Sequence, residues 1–170
     1  SWNVRTMYEG GSALVIAGEM RRYNLAILGV SETHWTQSGE TRLQSGETVI
    51  FSGHTEENAI HSEGVGFFLS KEASKALIQW EPVSSRIIVA KFRTQEKKIN
   101  LVVIECYAPT NDAAEEQKDK FYDQLQAVMQ GVSRKDIAIV MGDFNAKLGE
   151  ANTGYESIMG KHGVGAMNEN

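Results

Sequence analysis

Short apolar runs that end on polar residues limit the folds open to this chain more than any other feature. Residues 25–30 lead into Ser31-Glu32, residues 101–106 into Tyr107, and residues 137–141 into Gly142-Asp143, with Asn145 two positions on. Runs of this length are far short of the roughly 18 residues a membrane span needs. Bounded by turn residues, they predict strands buried on both faces. Amphipathic segments lie between them, and that alternation predicts an α/β domain.

The remaining elements follow from local pattern. Residues 2–6 predict a short strand. Residues 12–23 predict a helix, with Ser12 as its N-cap and Arg21-Arg22 where cations suit the helix dipole. Residues 33–46 and 53–64 are polar and read as loops, flanking strands over 48–52 and 65–69; residues 71–77 read as a weak helix or turn. Residues 85–93 and 99–106 are β-rich, and the polar connector 94–98 predicts an antiparallel hairpin. Residues 113–130 give the clearest helix, with Phe121, Leu125, Val128 and Met129 on one stripe and Gly131 as a stop signal. Residues 137–141 predict a buried strand, and 142–170 is read as irregular.

Composition removes several classes. Hydrophobic residues make up 41% and charged residues 23%, so intrinsic disorder does not fit. The single cysteine, Cys106, excludes a disulfide framework and a cysteine-rich zinc site. It fits a reducing, intracellular compartment, and we expect no membrane association. Lys and Arg number 17 against 22 Asp and Glu, a net charge of −5, which argues against a polybasic nucleic-acid coat. A local basic stretch still exists, with Arg86, Lys91 and Arg93 at its centre. It suits a DNA backbone, and equally the solvent face of a hairpin.

In open α/β sheets, ligand sites gather beyond the carboxyl ends of strands. The residues found there are chemically compatible. Glu32 and Asp143 are hard oxygen ligands suited to Mg²⁺ or Mn²⁺. Asn3, on the first strand, and Asn145 can hydrogen-bond a carboxylate, a metal-bound water or a phosphate oxygen, and Tyr107 can donate to a phosphate oxygen. Together they suit metal-assisted hydrolysis of a phosphate ester. Each also has a plainer reading: a strand-end carboxylate is often solvated or a helix cap, and Gly142-Asp143 can be a simple Asx turn. Trp35 reads either as a stacking residue beside Glu32 or as a packed core indole.

Five motifs occur in order: Trp2-Asn3-Val4-Arg5, Ser31-Glu32-Thr33-His34-Trp35, Gly64-Val65-Gly66-Phe67, Tyr107-Ala108-Pro109-Thr110 and Gly142-Asp143-Phe144-Asn145-Ala146. The set resembles the endonuclease/exonuclease/phosphatase superfamily. More narrowly, it is similar to the apurinic-type endonuclease domain of non-LTR retrotransposons and a host-recruited relative of it. The resemblance implies a four-layer αββα sandwich of the DNase I-like type. It implies that Glu32 binds the divalent metal, Mg²⁺ or Mn²⁺, and that Asn3 helps to hold the metal cluster. Tyr107 would lie near the scissile phosphate, Asp143 would orient or deprotonate the attacking water, and Asn145 would stabilise charge on the phosphate. The implied activity is DNA nicking at a retrotransposon target site, with a reverse transcriptase domain on the same parent chain.

One departure stands out. The family continues into a Ser-Asp-His motif, and none of His34, His54, His61 and His162 follows Ser-Asp here. We therefore expect residues 1–170 to be a single but partial domain, truncated at its C-terminus. Its second sheet would be incomplete, and the piece alone inactive and marginally stable. Two alternatives stay open: a catalytically dead relic kept as an interaction domain, and a superfamily phosphatase acting on phosphoinositides.

Overall fold

The strand Val65–Leu69 carries large side chains on both faces, and its parity sets the layers of the molecule. Val65, Phe67 and Leu69 point to one side and join Ile88, Ala90, Phe92, Val103 and Tyr107; Phe68 points to the other and joins Ala17, Met20, Leu28, Val30 and Val49. A strand buried on both faces needs a covering layer on each. A computed structural model describes residues 1–7, 11–55, 61–147, 149, 153–158 and 167–168. Its elements run β1 (Trp2–Asn3), α1 (Ser12–Arg22), β2 (Ile27–Ser31), β3 (Ser38–Arg42), β4 (Thr48–Ser52), β5 (Val65–Leu69), α2 (Lys71–Ala76), β6 (Leu77–Ser84), β7 (Ile87–Arg93), β8 (Asn100–Tyr107), α3 (Glu115–Gly131) and β9 (Ile137–Asp143).

One sheet has the order β1-β2-β5-β4-β3 and the other β6-β7-β8-β9. Their inner faces pack against each other through the cluster around Phe67 and Phe92. Helix α1 covers the outer face of the first sheet through Ala17 and Met20, and α3 covers the second through Phe121, set against Ile87, Val102, Ile104 and Cys106. The layers are therefore helix, sheet, sheet, helix, the DNase I-like arrangement expected. Removing a side chain such as Phe67, fully buried between the sheets, would cost about 3–5 kcal/mol.

Strands β4 and β5 match the sequence reading residue for residue, as does the β7–β8 hairpin in kind, pairing Arg93 with Asn100. Several expectations need correction. The first strand is only Trp2–Asn3, and Ser12 is the first helical residue rather than the cap; Gly11 caps α1 in a left-handed conformation without a side-chain bond. The supposed loop 33–46 contains β3, paired along its length with β4. Strand β6 was not foreseen; it is an edge strand carrying Pro82, a residue that edges tolerate. Met129 does not complete the buried stripe and is exposed. Among the described residues strand β9 is the outermost of its sheet and not a buried strand, with Ile137 54% and Ile139 45% exposed.

Candidate active site

Two parallel pairings bring the polar strand ends together. β1 pairs with β2, setting Asn3 opposite Ser31, and β8 pairs with β9, setting Tyr107 opposite Asp143. Just past β2, Glu32 adopts a left-handed conformation at φ 57°. Its carboxylate accepts from the Asn3 side-chain amide, Nδ2 to Oε1, at 2.6 Å. The same nitrogen donates to Asp143 Oδ2 at 3.1 Å. An Asn amide nitrogen has two hydrogens, so one goes to each carboxylate. The amide is oriented by Arg5, whose backbone N–H donates to Asn3 Oδ1 at 3.0 Å.

Gly142 makes the second half possible. Its φ of 145° is one that L side chains rarely adopt, and an added Cβ would lie 2.0 Å from the Cys106 carbonyl oxygen. Next along, Asp143 divides its two oxygens. Oδ1 accepts the backbone N–H of Asn145 at 3.0 Å, a true Asx turn, while Oδ2 faces Asn3. The plain turn and the site function therefore coexist in one side chain. Asn145, left-handed at φ 49°, donates its side-chain amide to the Ala108 carbonyl at 2.7 Å, tying the loop to the end of β8. Asn168 closes the loop from the other side, donating to the Asn145 carbonyl at 2.7 Å and accepting from Lys147 N–H at 2.8 Å.

Tyr107 joins the cluster by donating its hydroxyl to Glu32. Burial, then this bond and the charge of Glu32, push the phenol up to about 12, so it stays a proton donor. Arg86 holds Tyr107 from behind. Its guanidinium lies 5.0 Å from the ring centroid, donates to the Tyr107 carbonyl at 3.1 Å, and pairs with Glu63 at 2.7 Å. The other two basic residues lie further along, on β7. Lys91 is five residues along, about 16 Å of extended chain, and its ammonium is paired with Asp136 at 2.7 Å. Arg93 is exposed at the strand's far end. Trp35 stacks edge-on against Phe51 at 4.9 Å and is only partly buried.

Three residues beside the site escaped sequence reasoning: Glu63, Asn168 and Glu105. Only Glu105 had a legible signal. Strand parity puts position 105 on the same face as Val103 and Tyr107. Its side chain is fully buried between the sheets, with Oε2 lacking any partner and Oε1 accepting from Ser1 Oγ. Burial pushes its carboxyl up to about 7, and the charge of Asp143 adds to the rise. Two histidines have partners other than Asn3, Glu32 and Asp143. His61 Nδ1 donates to the His34 carbonyl at 3.0 Å, and His54 Nε2 lies 3.5 Å from Glu63. His162 lies outside the described residues.

Among the described residues, neither Glu32 nor Asp143 enters an ion pair with Lys, Arg or His. Two carboxylates linked only by a neutral amide are a fitting donor set for a hard divalent cation. No group of three or more His, Cys, Asp or Glu gathers among these residues to hold a metal. A cation such as Mg²⁺, which keeps several waters and takes one or two carboxylates, needs no more.

Two facing sheets flanked by helices, with an acid–amide–phenol cluster at the strand ends, define a DNase I-like α/β sandwich. Residues 1–164 match the Endonuclease/Exonuclease/phosphatase family, and the chain belongs to it. It is similar to craniofacial development protein 2 of Bos taurus, 36% identical over 169 residues, which is 99% of this chain and 27% of that protein. The Tragulus javanicus protein of the same name is 35% identical over 99% of this chain and 28% of its own length. The chain thus spans about a quarter of these relatives. In fold it is similar to a humanized D. rerio TDP2 (TM-score 0.54, 14% identity, 85% of this chain and 60% of that one). The endonuclease domain of TRAS1, a telomere-specific non-LTR retrotransposon, is similar too (TM-score 0.52, 16% identity, 85% and 58%). No helix among the described residues is long and apolar enough to cross a membrane.

Proposed function

We propose that the cluster is the centre of a divalent-metal-dependent phosphodiesterase that nicks DNA. The observation that carries this reading is the Asn3 amide shared between Glu32 and Asp143. Glu32 and Asp143 would hold the cation, Mg²⁺ or Mn²⁺. When bound, the cation supplies positive charge to the phosphoryl oxygens and the leaving group. Asn3 positions the two carboxylates. Asp143, its geometry fixed by the turn to Asn145, would orient the attacking water beside the cation. Tyr107 donates its hydroxyl hydrogen to a phosphate oxygen in the transition state, exchanging one anionic acceptor for another. Asn145 steadies the same developing charge. Arg86 braces Tyr107 through its ring and its carbonyl.

Target-site nicking is the role proposed for the intact protein, a reading in line with the likeness of fold to a retrotransposon endonuclease domain. A reverse transcriptase on the same parent chain and a nuclear setting belong to that proposal. So does the partial character of residues 1–170 as a domain.

The test is Mn²⁺ binding by electron paramagnetic resonance, with plasmid nicking measured in parallel. The chain is expected to bind one Mn²⁺ at this site, and Glu32→Gln or Asp143→Asn to lose it without unfolding. Unchanged Mn²⁺ binding in both variants would remove the proposed roles. A relic kept for interaction alone would bind no cation at all, and release of phosphate from a phosphoinositide without nicking would favour the phosphatase alternative.

A further inference from the structure

Past Glu32 the chain enters a tight loop in which Glu32, His34 and Gln37 all have positive φ, at 57°, 59° and 63°. Non-glycine residues held there carry strain that the surrounding structure must over-determine. The surroundings do so. Gln37 N–H donates to the His54 carbonyl at 2.6 Å and Gly53 N–H to the Gln37 carbonyl at 2.7 Å. Gly53 itself is packed so closely that a Cβ would lie 1.9 Å from the Trp35 carbonyl oxygen. Trp35 is therefore presented from a fixed backbone, and it borders a cavity of about 480 Å³ on the outer face of the first sheet.

The walls of that cavity are selective. Met7, Val49 and Phe51 make an apolar floor beside Trp35, with His34 and His61 among the polar groups around it. Among the described residues, none that lines it is acidic. The His61 ring is fixed by donating Nδ1–H to the His34 carbonyl. The aromatic rings of Trp35 and Phe51, with a few polar groups around them, suit a planar heteroaromatic group. The cavity also lies near the catalytic cluster: three residues of chain from Glu32 to Trp35 span at most about 11 Å.

We propose that this cavity is a base-stacking subsite, in which Trp35 receives an unpaired nucleobase of the DNA strand bound at the Glu32–Asp143 cluster. The assignment rests on the nuclease reading and adds what that reading lacks: a contact to the base rather than to the backbone. It makes the enzyme prefer frayed or distorted DNA, where a base is available to leave the stack. Strain and tight packing in the loop keep the subsite formed before binding, which lowers the cost of ordering it.

The test uses the 170-residue chain at low salt in EDTA, so that no cation bridge contributes. Fluorescence anisotropy compares a labelled single-stranded oligodeoxyadenylate with an abasic deoxyribose-phosphate oligomer of equal length. Base–aromatic stacking predicts about tenfold tighter binding of the base-bearing strand. Thr41→Phe, at an exposed strand position on the cavity's border, is expected to fill it and abolish the preference while leaving the melting temperature and the abasic binding unchanged. Trp35→Ala loses the preference as well, and Trp35→Phe retains it. Equal binding of the two oligomers, or a preference that survives Thr41→Phe, would overturn the subsite. The same comparison in Glu32→Gln separates the two hypotheses: the base preference persists there whether or not Glu32 holds a cation, and cation binding is scored on its own.

Discussion

Glu105 makes the stability of this fold depend on pH in a direction opposite to most carboxylates. Its side chain lies between the sheets, against Gly29, where an added Cβ would be 1.9 Å from Oε2. Burial raises its carboxyl from an ordinary 4.5 to about 7 in the folded chain. Below pH 4.5 it is protonated in both the folded and the unfolded chain, and the fold carries no penalty from it. As pH rises towards 7, the unfolded chain releases the proton freely while the folded chain holds it. Stability is therefore lost across the window from 4.5 to about 7 and stays reduced above it. The gap corresponds to about 3 kcal/mol at full extent. That is a large share of the 5–15 kcal/mol typical of a domain. Glu105→Gln removes the ionisation while keeping the shape. In urea melts between pH 4 and 8.5, the variant's stability is expected to fall less with rising pH than the wild type's. At pH 8 it should exceed the wild type by about 1–3 kcal/mol, allowing for the new amide's own need of an acceptor. Two pH profiles that run parallel would refute the reasoning, because Glu105 would then be charged or neutral in both states alike.

Two further outcomes are expected. Gly142→Ala puts a Cβ against the Cys106 carbonyl at a disallowed φ, and should cost about 2–4 kcal/mol in a urea melt and weaken Mn²⁺ binding by misplacing Asp143. Ile139→Lys falls on the half-exposed edge strand, and should cost under about 1 kcal/mol while reducing self-association seen by analytical ultracentrifugation. A wild-type chain that stays monomeric with a sharp reversible melt would argue against both the sticky edge and the expectation of marginal stability.

The elements most legible in the sequence were those with two buried faces or a clean apolar stripe. Residues 48–52 and 65–69 are rich in β-branched and aromatic residues and are bounded by turn residues, so their limits could be read directly. Strand β3, Ser-Gly-Glu-Thr-Arg, has no apolar alternation at all; it is a strand only because β4 offers it a ladder, pairing Glu40 with Ile50. Strand β6 hid for the same reason, as an edge with a proline. The error at β9 was of another kind. An apolar run says that a strand can be buried, and the assembled layers decide whether it is; here they leave Ile137 and Ile139 half open.

Residue types at strand ends, and the left- or right-facing parity within each strand, are local properties that the chain encodes by order alone. They were enough to nominate Asn3, Glu32, Tyr107, Asp143 and Asn145. Distance between segments is not encoded that way. Asn3 and Asp143 are 140 positions apart and meet at 3.1 Å only because parallel pairing aligns β1 with β2 and β8 with β9, and the two sheets then stack. The same stacking buried Glu105 without a full set of partners, braced Tyr107 with Arg86, and carried Lys91 away to Asp136. Such outcomes depend on which faces meet, which is settled by packing free energy over the whole domain and not by any short stretch of sequence.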